Sequence, residues 1–236
     1  MARPQRKGRG QNFWNKEYKQ KSHLALSTNP SEDLEKFTRY LEREHGRAYL
    51  NPLASVLDLG CGNGRNLVYL ANEFGMRGIG YDISSEAIAQ AKKLSGNLPL
   101  SYEVRSIAGV LSAPDASQTV VLDMMTSHFL NKDERHHLYS EVNRVLRQGG
   151  WYFLKTFLRD EDLHAERLLR ESPGQESGSY VHPEIGVEEH VFSEEEITQE
   201  LSHYFFVHKV QKSHRHRDEQ GRAGKRRSIS LYAQKS

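Results

Sequence analysis

Apolar positions recur along this chain at two spacings, and the change from one to the other divides it into elements. Behind Asn29-Pro30-Ser31, the residues Leu34, Phe37, Tyr40 and Leu41 fall on one helical face that ends near Gly46. From Ser55 the rhythm becomes strand, loop, helix. A strand is predicted over 56–59, then a helix over 66–74 with Leu67, Leu70 and Phe74 on one side. Strands at 78–81 and 100–104 flank a helix at 84–94, and a buried fourth strand follows at 120–122. Asn131 with Glu134 three positions on reads as a capping box. Its helix carries Leu138, Val142, Val145 and Leu146 and stops at Gly149-Gly150, before a fifth strand at 151–157. Alternation of this kind produces a parallel α/β sheet.

The pattern weakens towards the C-terminus. Residues 159–192 show no period and contain Pro173-Gly174 and His182-Pro183, which marks an insertion of the kind that often forms a lid. A second capping box, Ser193 with Glu196, opens a further helix. Strand-like runs at 204–207 and 229–233 have no helix between them and are expected to pair as an antiparallel hairpin. One domain is expected over 31–236, with a basic extension at 1–30 that can serve as a lid and a basic hairpin loop at 208–228.

Composition adds limits. A chain of 236 residues with 36% hydrophobic content supports one core. No apolar run reaches the roughly 18 residues of a membrane span. The single cysteine, Cys61, excludes an internal disulfide and suggests a reducing, cytoplasmic setting. The net charge of +2 conceals a polarity: seven Lys/Arg against one acid over 1–21, nine against two over 208–236, and 17 against 28 between. Basic ends attract phosphate-rich partners, RNA among them, and equally serve solubility alone.

The strongest chemical signal is Leu57-Asp58-Leu59-Gly60-Cys61-Gly62-Asn63-Gly64. A buried strand runs into an acid and three alternate glycines, where a bare backbone lets a ligand lie against the strand-to-helix turn. Asp82 follows Asp58 by 24 positions, at the tip of the next strand, where a carboxylate can accept from both hydroxyls of a ribose. The spacing differs from the Gly-x-Gly-x-x-Gly of dehydrogenases.

These residues resemble the class I S-adenosylmethionine-dependent methyltransferases. Residues 57–64 are similar to the family's first motif, 78–84 to its second, and 141–150 to the helix and turn before its fifth strand. The resemblance implies a Rossmann-like, doubly wound seven-stranded sheet with its last strand antiparallel, here with an N-terminal helical extension. It implies S-adenosylmethionine as cofactor and S-adenosylhomocysteine as product. Asp58, Gly60, Gly62 and Gly64 would hold the methionine moiety and Asp82 the ribose, with Cys61, Asn63, Asn66 and Ile83 as further cofactor-binding residues. Where the family usually places an acid beside the adenine, this chain has Ser106, with Ile107 to cover the ring.

The acceptor side departs further from the family. The aromatic-Asp pair that many relatives show at the start of strand four is Gln118-Thr119 here, and Asp123 closes that strand instead. Asp123 or His128 is the expected proton acceptor, with packing as the plainer role for His128. The Asn/Asp-Pro-Pro-aromatic tetrapeptide of nucleic-acid amino-methyltransferases is missing, and no cysteine outside the cofactor loop can serve as a covalent nucleophile. Transfer to an O, N or S atom of a small or medium-sized anionic acceptor is therefore expected. The alternatives are an RNA methyltransferase and a non-catalytic regulator that binds the cofactor without turning it over. Trp14 and Tyr18 lie one helical turn apart in a segment resembling the aromatic opening of thiopurine- and tellurite-resistance-type enzymes. They are candidate acceptor contacts or simple docking residues. Arg226 and Arg227 are candidate grips for an anionic group. The mixture of Tyr180, His182, Glu184, Glu188, Glu189 and His190 matches no established metal-ligand spacing, so no metal is expected.

Overall fold

The computed structural model describes residues 6–20, 27–213 and 226–236. Residues 1–5, 21–26 and 214–225 lie outside them, so the expectations placed there, including most of the basic hairpin loop expected at 208–228, stay expectations. Helices α1 (Arg6–Gln20) and α2 (Glu32–His45) precede β1 (Ser55–Leu59), α3 (Arg65–Phe74), β2 (Arg77–Asp82), α4 (Ser85–Ser95), β3 (Leu100–Val104) and β4 (Gln118–Met124). A 3-10 turn at Ser127–Phe129 leads to α5 (Lys132–Val145) and β5 (Leu146–Phe157). The chain closes with α6 (Leu163–Glu171), β6 (Ser179–Val181), β7 (Glu188–His190), α7 (Glu194–Ser202), β8 (Phe206–Lys212) and β9 (Ser228–Gln234).

Seven strands form one sheet in the order β3-β2-β1-β4-β5-β9-β8. The β1, β2, β3, β4 and β5 pairings are parallel, while β9 inserts antiparallel between β5 and β8. This is the expected Rossmann-like sheet with its last strand reversed. The order turns back between β1 and β4, so the carboxyl ends of those strands border the crevice where such sheets bind ligands.

Period-two alternation divides the buried side chains between two faces. Leu57, Leu59, Val121, Tyr152, Leu154 and Leu231 pack with Leu138, Val142 and Val145 of α5 and Ile197 and Leu201 of α7. Val56, Val120, Leu122, Trp151 and Phe153 pack with Leu34, Phe37 and Leu41 of α2 and Leu67 and Leu70 of α3. Both capping boxes read in the sequence form, at Asn131/Glu134 and Ser193/Glu196.

Three stretches differ from expectation. The strand expected at 204–207 is displaced, since Tyr204 and Phe205 lie in the turn after α7 and β8 runs from Phe206 to Lys212. Helix α5 stops at Val145, because Leu146 is already extended and pairs with Gln118; the ladder then skips to Trp151 against Val120 across a turn in which Gly149 has φ +70°. The segment 159–192 is ordered as a helix and a two-stranded ribbon, β6 with β7. Its three-residue strands are too short to show a period.

Candidate functional site

The first motif folds as a tight reversal after β1. The N–H groups of Gly60 and Cys61 both donate to the Tyr81 carbonyl, at 2.7 and 2.9 Å, which locks the turn onto β2. Gly60 has φ +74°, and a Cβ there would stand 2.2 Å from Thr126 Oγ1. Gly62 has φ +54°, and a Cβ there would meet the Tyr18 hydroxyl at 2.4 Å. Left-handed backbone and close approach both require glycine at these two positions.

Asp82 closes β2 beside this turn. Its Oδ2 accepts the Gly62 N–H at 3.0 Å and its Oδ1 the Ser84 N–H at 2.8 Å. Each oxygen is fixed by one backbone donor and keeps lone-pair capacity for a second partner. Burial raises the Asp82 pKa, and the two backbone bonds work against that rise. Asp58 is 1% exposed and its Oδ2 has no hydrogen-bond partner among the described residues. Burial, then the nearby charges of Asp82 and Asp123, push its pKa up to about 7, with Arg65 opposing. A glycine cradle, a ribose-height carboxylate with free lone pairs and an unpartnered buried carboxylate fit a cationic nucleoside such as S-adenosylmethionine.

Helix α1 closes this region from outside. Gln11 Nε2 donates to the Ile83 carbonyl at 2.9 Å, Ser84 Oγ donates to Asn15 Oδ1 at 2.8 Å, and Gln90 Nε2 donates to the Tyr18 carbonyl at 2.6 Å. The sequence reading missed Gln11, Asn15 and Gln90, which carry no motif signal. Tyr18, expected at the acceptor, stands instead over Gly62. Burial first, then the charges of Asp82, Cys61 and Asp58, drives its phenol well above the ordinary range. Trp14 does face the other way, edge-on to Phe129 with ring centroids 5.7 Å apart.

Several candidates turn out to be occupied by the fold. Asn63 Nδ2 donates to the Ser27 carbonyl at 3.0 Å, and Asn66 Oδ1 accepts the Ser31 N–H at 3.1 Å, so both side chains hold the segment entering α2. Cys61 is a buried free thiol. Ser106 is exposed and its hydroxyl accepts the Ala108 N–H, while Ile107 is buried in the core.

Asp123 requires a correction. Alternation along β4 places it on the face covered by α5 and α7, where it is fully buried. Its Oδ1 accepts the Ser127 N–H at 3.1 Å and its Oδ2 the Tyr152 hydroxyl at 2.8 Å. The carboxyl anchors the turn after β4 and is closed to an acceptor. Arg227, expected to grip substrate, is likewise internal. Its N–H donates to Asp162 Oδ2 at 2.9 Å, and its Nη1 donates to the Asp160 carbonyl at 2.7 Å and Glu161 Oε2 at 2.9 Å.

His128 and Arg226 are brought together. His128 is 2% exposed, and neither ring nitrogen has a hydrogen-bond partner among the described residues. Burial lowers its pKa to about 4, Glu189 pulling it up and Arg226, His190 and Arg135 pushing it further down. Its ring meets Phe157 at 5.0 Å, and the Arg226 guanidinium lies 3.4 Å from the centre of that same ring. Arg226 Nη1 donates to Glu189 Oε2 at 2.8 Å, and Tyr180 donates to the same oxygen. Burial would raise the Glu189 pKa, yet His128, Tyr180 and Arg226 together hold it below the usual range. Arg226 Nε and Nη2 have no partner among the described residues. A neutral imidazole beside a partly committed cation can take a proton from one group of a ligand and hold an anionic oxygen of another. Among the described residues no cluster of His, Cys, Asp or Glu suits a metal ion, and no helix is long and apolar enough to cross a membrane.

Residues 56–150 match the protein family described as a methyltransferase domain. An O-methyltransferase of Aspergillus sclerotiorum is 30% identical over 133 residues, 54% of this chain and 50% of that one. A fatty-acid O-methyltransferase of Mycolicibacterium smegmatis is 30% identical over 168 residues, 69% of this chain and 59% of that one. The chain thus spans about half the length of the curated relatives it matches. The crystal structure of an S-adenosylmethionine-dependent methyltransferase from Methanosarcina mazei is 28% identical, with a TM-score of 0.66 over 79% of this chain and 94% of that one. Sheet order, the glycine turn with its two acids, and these likenesses agree: residues 56–150 carry a methyltransferase domain, and the chain is similar in sequence and fold to S-adenosylmethionine-dependent methyltransferases.

Proposed function

We propose that the protein transfers a methyl group from S-adenosylmethionine to an O, N or S atom of a small or medium-sized anionic acceptor. The observation that carries the acceptor side is the juxtaposition of His128 and Arg226 on Phe157, both with buried nitrogens uncommitted to the described residues. When bound, the cofactor supplies an electrophilic methyl on a sulfonium, which is already a good leaving group. Asp82 would hold the ribose, the backbone around Gly60 and Gly62 the methionine moiety, and the ionised Asp58 its positive charge. Tyr18 and the rest of α1 cover that moiety and exclude water, which strengthens every charge interaction beneath them.

Arg226 fixes the anionic group of the acceptor, and Trp14, Phe129 and Phe157 supply apolar walls. His128, neutral above about pH 4, accepts the proton that the attacking atom must lose. Much of the rate comes from holding nucleophile and methyl in line. Asp123 keeps the His128 turn in register without touching the acceptor.

The test is transfer of radiolabelled methyl into a source-cell extract, followed by separation of small molecules, lipid, RNA and protein. Label is expected in the small-molecule fraction. His128→Asn should lower transfer about 100-fold, the lower range for a lost general base, with cofactor affinity within about twofold of the parent. Label confined to RNA or protein would refute the small-acceptor reading, and cofactor binding without transfer into any fraction would refute the activity.

A further inference from the structure

The outer side of the β6–β7 ribbon borders a cleft of about 380 Å³ lined by Lys132, Arg135, Arg159, Glu176, Ser177, His190 and Glu196. Strand β7 separates it from the methyl-transfer side. Glu189 turns towards Tyr180 and Arg226, whereas His190 turns the opposite way, its Nε2 2.9 Å from Glu196 Oε1.

Charge in the cleft does not balance. Glu176 is bound by both terminal nitrogens of Arg135, at 3.2 and 3.1 Å, and Glu196 is engaged by His190 and by its capping box. Arg159 keeps only a loose approach to Glu196, at 3.9 Å. Lys132 makes no ion pair with a described residue and occupies the first position of α5, where the helix dipole disfavours a cation. Stability does not explain a lysine there. One further donor is buried and without a hydrogen-bond partner among the described residues: Arg135 Nε, on a residue 1% exposed. An unmet buried donor is costly to the fold, and a ligand that accepts from it offsets that cost.

We propose that this cleft is a second binding site, for a small oxyanion ligand whose phosphate or carboxylate group lies between Lys132 and Arg159. The volume is within the range of small-molecule sites and exceeds that of a bare phosphate, so the oxyanion belongs to a larger molecule. Lysine and arginine together suit it, one as a mobile point charge and the other as a planar fork.

Calorimetric titration of the full chain at constant ionic strength, with inorganic phosphate in one arm and citrate in the other, tests this. Saturable binding in either arm is expected, and the tighter arm identifies the phosphate or carboxylate source. Lys132→Ala combined with Arg159→Ala should weaken it at least tenfold. Both cations are on the surface rim of the cleft, so the fold should survive, and unchanged S-adenosylmethionine affinity in the same variant confirms that it does. Absence of saturable binding in both arms, or binding that the double variant leaves unaltered, would overturn the proposal. The result is independent of methyl transfer, since neither titration uses an acceptor.

Discussion

In the proposed cofactor site, Asp58 links cofactor binding to proton release. Its pKa of about 7 means that near neutral pH the carboxyl is divided between neutral and ionised forms. Only the ionised form gains from the arrival of a sulfonium, so binding expels a proton wherever Asp58 begins protonated. Affinity therefore rises with pH up to about 7 and levels off above it. For a carboxyl that is fully ionised in the complex, the apparent Kd is multiplied by one plus the protonated-to-ionised ratio. That factor is about 11 at pH 6 and about 1.3 at pH 7.5, a roughly eightfold difference worth about 1.2 kcal/mol. Calorimetry at both pH values, in two buffers of different ionisation enthalpy, measures Kd and the protons released together. Nearly one proton should leave per cofactor at pH 6 and a small fraction at pH 7.5. Asp58→Asn should flatten the profile at the weaker affinity. Equal wild-type affinity at the two pH values, with no proton release, would refute the placement of the cofactor's charge beside Asp58. The same shift acts on the unliganded fold. A carboxyl whose pKa is raised on folding stabilises the protein fully below the ordinary carboxylate range, and that contribution is lost as pH rises through about 7.

Asp82→Ala removes the proposed ribose acceptor and two backbone anchors, so calorimetry should show cofactor affinity lowered by about 10- to 100-fold, the equivalent of one or two charge-assisted hydrogen bonds. Asp123→Ala strands the Tyr152 hydroxyl and the Ser127 N–H in the core, and chemical denaturation should report a loss of about 2–5 kcal/mol. Arg227→Ala removes the cation beside Glu161 and the side-chain donors to the Asp160 and Ser213 carbonyls, while the backbone N–H to Asp162 remains; this should lower Tm by about 4–8 °C in a scan for a loss near 2 kcal/mol, with cofactor affinity unchanged.

The sequence exposed what depends on neighbours in the chain. The glycine turn, both capping boxes and the strand-helix alternation are local patterns, and each folds as its residues imply. What depends on partners across the fold stayed hidden. Asp123 looks like a proton acceptor at a strand tip in the sequence, because Tyr152, which binds it, is 29 positions away. Arg226 and Arg227 are adjacent and identical in type, yet one is stacked on Phe157 and the other is locked to residues 160–162. Tyr18 was assigned to the acceptor because an aromatic in an N-terminal segment carries no sign of which side of a crevice it will cover.

The insertion begins and ends at the same point of the sheet. Arg159 donates its N–H to the Phe192 carbonyl at 2.7 Å, and the Phe192 N–H returns to the Phe157 carbonyl at 3.2 Å. The chain between them is a closed excursion whose mouth is stitched shut. Lengthening or shortening such an excursion costs the sheet little, since loop-closure entropy grows only with the logarithm of length. It also carries Tyr180, Glu189 and His190, so it decides what Arg226 and His128 face. With the acceptor site proposed above, acceptor choice is housed in a cassette that can be exchanged between proteins of this fold, while the proposed cofactor half remains untouched on the other side of the sheet's turning point.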